Sequence, residues 1–180
     1  MDKQSNRVFK WFWPWQDQEE ERWLRQMSLE GRHLLSKSLA WYTFAEGEPA
    51  DVVYRLDFPP KSGGELPEYI EFFRGAGWEY LGKLSSWHYY RQPVTGDQPA
   101  ELYTDNQSKI ERYRRVLAAL LFPSALSMAP GLAAMKKFGR HPQWFVVLYA
   151  AIFVVWIAFA AASAFMIYRR IETLKETSRV

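Results

Sequence analysis

Residues 144–168 read WFVVLYAAIFVVWIAFAAASAFMIY, an apolar run that contains one polar residue, Ser163, and is closed by Arg169 and Arg170. As a helix, this stretch would be about 37 Å long at about 1.5 Å per residue, against a hydrocarbon core of about 30 Å. The run therefore predicts a transmembrane helix. The rest of the chain is expected to belong to a membrane protein.

A second apolar stretch, residues 116–135, carries no charge and has about the minimum length for a crossing. Its two prolines and its glycine are compatible with either a kinked span or a re-entrant segment. The short basic connection 136–143 favours a span, because two antiparallel helices need only a few residues to turn. We therefore predict a two-helix transmembrane hairpin, followed by a tail over residues 169–180.

The basic residues near the two spans predict the orientation of the hairpin. Eight lie on the side of the termini: Lys109, Arg112, Arg114, Arg115, Arg169, Arg170, Lys175 and Arg179. The connecting loop has three: Lys136, Lys137 and Arg140. Because positive charge is enriched on the cytoplasmic side, we expect a plasma-membrane protein with two spans and both termini in the cytoplasm.

The charge of the chain is divided unevenly along its length. Residues 1–108 carry 12 Lys and Arg against 17 Asp and Glu, whereas residues 109–180 carry 11 against 3. The basic residues thus flank the membrane stretches, and no nucleic-acid partner is expected. The absence of cysteine excludes disulfides, thiolate metal sites and cysteine nucleophiles.

The part of the chain before the spans contains an internal repeat with a shift of 46 positions. The matching pairs are Phe12 with Phe58, Pro14 with Pro60, Gly31 with Gly77, Leu35 with Leu81, Lys37 with Lys83, and Trp41 with Trp87. Strand and helix signals within each copy predict a strand-helix-strand-strand unit, about residues 8–45 and 52–91. The predicted fold is α+β, a tandem βαββ repeat whose mainly antiparallel sheet has both helices on one face.

Several boundaries follow from local sequence signals. Residues 1–92 form the predicted cytoplasmic domain, which begins with a strand over Val8–Trp13 and contains a half-buried strand over Val52–Phe58. Proline, glycine and aspartate mark residues 93–103 as an exposed linker. Capping signals then predict a juxtamembrane helix over residues 104–115.

Aromatic residues are the first candidates for a binding surface. Seven tryptophans precede the spans, and the favoured role for most of them is to fill the core, because each buries a large area. Trp13 and Trp15 beside Pro14 are expected to stay exposed, where they could touch the membrane interface or a partner. Trp87 is a further candidate for ligand contact.

Polar side chains on two predicted strands are the remaining candidates. Arg55 and Asp57 share a strand face, where a solvated or same-face ion pair is favoured over a binding pair. His88 lies between Trp87 and Tyr89, and a histidine in a strand is more often held by a hydrogen bond than used as a pH sensor.

The sequence contains no catalytic constellation that we recognise. His33, His88 and His141 lack the spacing of metal ligands, and the acidic run Glu19–Glu21 is explained by the positive end of a helix dipole. No phosphate loop, nucleophile elbow or HExxH motif is present. We therefore predict no catalytic residues, no metal and no cofactor, and we do not expect an enzyme.

Several motifs together resemble the domain of unknown function 2812 family. They are VFKWFWPWQD at residues 8–17, EGRHL at 30–34, YRLDF at 54–58, GWEY at 77–80, WHYYR at 87–91 and YTD at 103–105. The resemblance implies that membrane spans follow the domain and that the genes lie beside PadR-type regulators. A shared response to envelope stress or toxic compounds is thereby implied, but no family catalytic residue is available.

These observations favour a membrane-tethered cytoplasmic interaction or sensory module. Exposed aromatic surface would bind a protein partner, a second copy or an amphipathic compound. The alternative is a small accessory subunit of a transport or permeability system, in which the hairpin is the working part. A membrane-bound enzyme that uses the acidic and aromatic face is a third hypothesis.

Overall fold

The computed structural model describes residues 5–60, 63–96, 99–135 and 143–177, with residues 63, 123–135, 143, 145, 146, 149 and 177 described by their backbone. The strands are β1 Ser5–Phe9, β2 Arg32–Ser38, β3 Trp41–Glu46, β4 Val52–Asp57, β5 Glu79–Leu84 and β6 Trp87–Pro93. The helices are α1 Asp17–Leu29, α2 Leu66–Gly75, α3 Asn106–Met135 and α4 Gln143–Thr177. Two compact units divide between Asp105 and Asn106, and each is described by itself.

The strands of the first unit form two three-stranded antiparallel sheets, β1-β3-β2 and β4-β6-β5. The α+β class is thus as predicted, but a single sheet was wrong. Strands β2 and β5 are in contact, yet each is an edge strand with a bulge, at Leu34/Ser36 and at Tyr80/Gly82. Because a bulge bends a strand and disrupts its ladder, the two sheets remain separate.

The two halves of the first unit have the same topology, as the 46-residue repeat predicts. The two bulges are 46 residues apart, as are Leu39 and Ser85, two non-glycine residues with positive φ values of 45° and 55°. Gly31 and Gly77 have φ values of 79° and 89° at the end of the helical segment in each half. The repeated residues therefore specify the same turns twice.

The first strand lies further towards the N-terminus than Val8–Trp13. Strand β1 is Ser5–Phe9, and its ladder ends where Phe9 pairs with Trp41, the first residue of β3. The amide of Lys10 still donates to the carbonyl of Ala40 at 2.8 Å. Beyond this point β1 has no further ladder partner among the described residues, and the aromatic residues before Pro14 form an irregular segment.

The helices pack on opposite faces of the second sheet, which corrects the prediction that both share one face. Helix α1 contacts β2 of the first sheet and β4 of the second, and it shares with both sheets a core formed by Leu24, Met27, Leu34, Tyr42, Phe44, Val52, Tyr54, Leu56 and Tyr89. Helix α2 covers a second core of Val53, Phe73, Trp78 and Tyr90. Because β4 contributes to both cores, it is buried on both faces and not half-buried as predicted.

The segment predicted as an exposed linker belongs to the first unit. Val94, Ala100, Leu102 and Tyr103 pack against the second core, and the unit extends to Asp105. We call residues 99–105 the strap. Its apolar side chains explain the difference, because together with α2 they cover the face of the second sheet opposite α1.

The second unit consists of α3 and α4, which pack against each other. The predicted helix 104–115 and the predicted span 116–135 form one helix, and most of the predicted loop 136–143 lies outside the described residues. Among the described residues, one helical stretch, Ala150–Glu176, is long and apolar enough to cross a membrane. A single candidate span is thus shown where a hairpin of two was predicted, since the side chains of residues 123–135 are not described.

Candidate functional site

A cavity of about 180 Å³ lies between the two halves of the first unit. Its lining comes from the segment before α1, the first turns of α1, the end of β2, and strands β4, β5 and β6. The residues are Trp11, Phe12, Trp13, Pro14, Asp17, Glu20, Lys37, Leu39, Leu56, Leu84, Trp87 and Tyr89. The cavity therefore combines several aromatic rings with three charged side chains.

A buried ion pair lies in the wall of this cavity. Lys37 Nζ donates to Glu20 Oε1 at 2.7 Å, and the two side chains are only 9% and 5% exposed. The same carboxylate oxygen accepts hydrogen bonds from the hydroxyls of Tyr42 at 2.8 Å and Tyr89 at 2.9 Å. Lys37 Nζ also donates to the Tyr89 hydroxyl at 2.6 Å and lies over the rings of both tyrosines. The four groups form a closed polar cluster in an apolar surrounding.

Burial shifts the pKa of Lys37 and of the two tyrosines in this cluster. It lowers the pKa of Lys37, while the charge of Glu20 acts in the opposite direction. It raises the pKa of both Tyr42 and Tyr89, and the Glu20 carboxylate adds to both shifts. Both phenols therefore remain protonated at neutral pH and act as donors to the carboxylate.

The position of Glu20 on α1 follows from helical periodicity. Asp17, Glu20, Leu24 and Met27 are all buried, at spacings of three and four residues. The helix-dipole explanation fits Glu19, which is partly exposed and lies 3.5 Å from Arg22, but does not account for Glu20. The acidic positions within the apolar stripe were the signal that sequence reasoning missed. The pairing with Lys37 could not be found that way, because helical periodicity says nothing about which side chain of the following strand packs on α1.

The predicted tryptophans contribute to the mouth of the cavity. Trp13 and Trp87 line it, and Trp13 is 41% exposed. Trp15 stacks on Trp13 with ring centroids 5.4 Å apart and an angle of 3° between the planes. Trp11, also in the lining, meets Trp13 edge to face at 5.5 Å. The segment before α1 is thus a cluster of stacked indole rings beside the cavity.

Arg55 and Asp57 bind different partners, and neither is a solvated surface residue. Arg55 donates to Glu101 of the strap at 2.7 Å and lies 3.6 Å from Glu21. Asp57 is fully buried and accepts hydrogen bonds from Tyr69 at 2.7 Å and Tyr103 at 2.8 Å. Strand β4 therefore holds the strap through both side chains.

His88 lies on the same face of the second sheet as Asp57, with which it is paired in register. It is 3% exposed, and its Nδ1 lies 3.1 Å from the hydroxyl of Tyr80, which stacks on the imidazole. Burial lowers the pKa of His88, Asp57 opposes this shift, and Lys83 adds to it. The ring is accordingly neutral at pH 7, and Trp87 is the neighbour that reaches the cavity.

The carboxylates and imidazoles of the described residues do not gather into a group of three or more that could hold a metal ion. Two polar clusters lie on opposite faces of the second sheet: the Glu20 cluster (Glu20, Lys37, Tyr42, Tyr89) and the Asp57 cluster (Asp57, Tyr69, Tyr103). Strand β4 lies beside both clusters. Leu56 lines the cavity and its amide donates to Glu21 at 2.8 Å, and the next residue along the strand is Asp57.

The family model described as "Protein of unknown function (DUF2812)" matches residues 16–125. The chain belongs to the DUF2812 family. The matched DUF2812 region includes α1, both sheets after β1, the strap and the first part of α3. It therefore contains the Glu20 cluster and the Asp57 cluster, while the tryptophans at positions 11, 13 and 15 precede it. No curated protein and no solved structure matches the chain.

Proposed function

We propose that this DUF2812 protein is a membrane-tethered sensory module whose cavity binds a small amphipathic compound. The observation that carries the proposal is the combination of indole rings at the mouth with the buried Glu20–Lys37 pair. Binding sites of this kind are mostly apolar, with a few polar groups that orient the ligand.

The size of the cavity limits the part of the ligand that enters. A cavity of about 150 Å³ accommodates one benzene-sized molecule, and this cavity is about 180 Å³. Trp13 and Trp87 offer ring faces and edges to an aromatic group at the mouth. We therefore expect a ligand with a single ring or a short alkyl end inside the cavity and the remainder at the opening.

The charge of the lining favours neutral and cationic ligands. Asp17 and Glu20 are both buried in the lining, and Lys37 is the one cation among the described residues that line the cavity. A third carboxylate placed beside them would experience repulsion in a region with little water. An ammonium group would gain from both the carboxylates and the ring faces.

The tether is the part of the proposal that depends on α4. Its stretch Ala150–Glu176 has the required length and composition, and only 11% of its apolar window is buried. A second crossing by α3, both termini in the cytoplasm, and location in the plasma membrane are supported by the distribution of basic residues in the sequence. Labelling of single cysteines placed near each terminus, in intact and in permeabilised cells, tests this orientation.

A sensory module must also pass ligand binding on to another part of the protein, and the strap connects the cavity wall with the start of α3. Glu20 contacts the cavity, and the adjacent Glu21 lies 3.6 Å from Arg55, which binds Glu101 of the strap. The strap ends at Asp105, and α3 begins at the next residue. A ligand that displaces the first turns of α1 would therefore alter the hold on the segment that leads into α3.

The test uses the purified full-length protein in detergent micelles. The probes are 2-phenylethylammonium, 2-phenylethanol and 3-phenylpropanoate, which share one ring and differ in charge. Binding is measured from tryptophan fluorescence and from the shift of the unfolding temperature. We expect the ammonium and alcohol probes to bind and the carboxylate probe to bind more weakly than either.

The matched variants are Trp87→Leu and Trp41→Leu, because the repeat places these tryptophans at equivalent positions. Only Trp87 lines the cavity, so Trp87→Leu should weaken binding by about three- to tenfold and Trp41→Leu should leave it unchanged. Carboxylate binding as tight as ammonium binding, or equal effects of the two variants, would overturn the proposal.

A further inference from the structure

A group of large apolar side chains is exposed on one side of the first unit. Phe9 is 60% exposed, Trp11 47%, Trp13 41%, Leu39 69% and Trp41 43%. We call these five residues the aromatic rim. None of them belongs to the two buried cores.

The rim is one continuous surface. Phe9 and Trp41 are paired across β1 and β3, with ring centroids 5.2 Å apart. The 2.8 Å hydrogen bond from Lys10 to Ala40 joins the chain beside Trp11 to the turn that carries Leu39. Trp11, Trp13 and Leu39 then meet around the cavity. The apolar surface thus extends from the outer face of the first sheet to the mouth of the cavity.

The fold itself does not require this apolar surface. Leu39 has a φ of 45°, a conformation in which leucine is uncommon, and its side chain is mostly exposed. The equivalent residue of the second half is Ser85, with a φ of 55°, so the same turn forms with a polar side chain. Most of the Leu39 side chain is therefore available for a contact outside the first unit.

The composition of the rim identifies the kind of contact. It contains tryptophan, phenylalanine and leucine, and the guanidinium of Arg7 lies over the Trp41 ring at 5.1 Å. Indole rings beside a basic group are typical of protein surfaces at the boundary between lipid headgroups and acyl chains. The same chain carries a helix able to cross a bilayer, so this partner is always within reach at a high effective concentration.

We propose that the aromatic rim inserts into the headgroup region of the bilayer that anchors the chain. The mouth of the cavity then opens at the lipid surface, and compounds dissolved in the membrane enter without crossing water. Insertion of the rim requires that α4 crosses the membrane, but it does not require that the cavity binds a ligand. Its test therefore remains informative if the cavity binds nothing.

The absence of native cysteine allows a single probe to be placed beside the rim. Ser38 is exposed and paired with Trp41, so Ser38→Cys puts a fluorophore on the rim without removing one of its apolar residues. Glu68→Cys, exposed on α2, is the control site. The full chain is placed in nanodiscs of equal parts phosphatidylcholine and phosphatidylglycerol, with and without lipids that carry a nitroxide quencher next to the headgroup.

We expect quenching of the probe at Ser38→Cys to exceed that at Glu68→Cys by about twofold or more, because rim insertion would bring it within about 10 Å of the quencher. Leu39→Ser copies the second half of the repeat, and Leu39→Ser combined with Phe9→Thr should remove most of this excess. Phe72→Ser, at a residue that is 70% exposed on α2, should leave it unchanged. The unfolding temperature of each variant confirms that its fold is intact.

Equal quenching at the two sites, or rim variants that behave like Phe72→Ser, would overturn the proposal. A second copy of the chain is the competing partner for the rim. Discs that hold one chain distinguish the two cases, because a bilayer contact persists in them whereas a contact between copies is lost. Loss of quenching in single-chain discs would therefore also overturn the proposal.

Discussion

Replacement of Glu20 by glutamine tests the buried cluster most directly. The change keeps the size and shape of the side chain but removes the charge that faces Lys37 at 2.7 Å. Lys37 is then a buried cation without its counter-ion, and the two tyrosine donors lose a charged acceptor. Removal of one partner from a buried pair costs about 3–5 kcal/mol, and retention of an amide oxygen as acceptor reduces the expected loss to about 2–3 kcal/mol.

The loss should also depend on pH in a defined direction. Burial already lowers the pKa of Lys37 in the folded protein, and Glu20 opposes that shift. Without Glu20 the folded pKa falls further, so the unfolded chain binds more protons than the folded one as pH approaches the usual lysine pKa of about 10.4. The stability of the variant therefore rises with pH below that value, and its deficit relative to the native chain shrinks.

The assay is urea unfolding of the full chain in detergent micelles, followed by tryptophan fluorescence at several pH values. Glu19→Gln is the matched control, because Glu19 lies on the same turn, is 39% exposed and is 3.5 Å from Arg22. Its loss should be less than about 0.5 kcal/mol. Addition of Lys37→Met to Glu20→Gln should recover part of the stability, since the uncompensated cation is gone. Equal losses for Glu20→Gln and Glu19→Gln would refute the reasoning.

Three further outcomes follow from the structure. Asp57→Asn should weaken the contact between β4 and the strap, since the hydroxyls of Tyr69 and Tyr103 lose a carboxylate acceptor. We expect the free energy of unfolding to fall by about 1–3 kcal/mol and hydrogen exchange in residues 99–105 to become faster. Unchanged exchange in these residues would contradict the prediction. Gly31→Ala should lower the free energy of unfolding by about 2 kcal/mol or more, because φ is 79° and a Cβ would lie 2.5 Å from the carbonyl oxygen of Gly47. Gly75 has open space around it, so Gly75→Ala should leave stability unchanged or raise it in the same unfolding assay. Burial lowers the pKa of His88 in the folded protein, so below about pH 6.5 the unfolded chain binds a proton at His88 more readily than the folded one. Stability should therefore fall as pH decreases from that value. His88→Phe should flatten this part of the plot of unfolding free energy against pH.

Much of the local structure could be read from the chain. The 46-residue repeat predicts two halves of the same topology, and Gly31 and Gly77 end the helical segment of each half. The apolar run in α4 indicates a candidate membrane span by its length and composition. These features depend on neighbouring residues or on a match between two parts of the chain, and both can be read from the sequence.

Features that join distant segments were predicted less well. The strand before Pro14 was misplaced because aromatic content favours a strand, whereas the ladder ends where its partner β3 begins. Arg55 and Asp57 were expected to interact with solvent or each other, but each binds a residue of the strap. Neither outcome could be predicted from the neighbouring residues, since both depend on contacts with segments that are remote in the sequence.

The sequence by itself determined the βαββ repeat, the apolar run of α4 and the richness in tryptophan. Only the tertiary structure decided that α1 and α2 pack on opposite faces of the second sheet and that Glu20 meets Lys37 beside the cavity. The physical reason is that periodicity fixes which side of an element is apolar but not which other element covers it. A charged residue within an apolar stripe, such as Glu20, acquires its partners only when α1 packs against the strands that carry Lys37, Tyr42 and Tyr89.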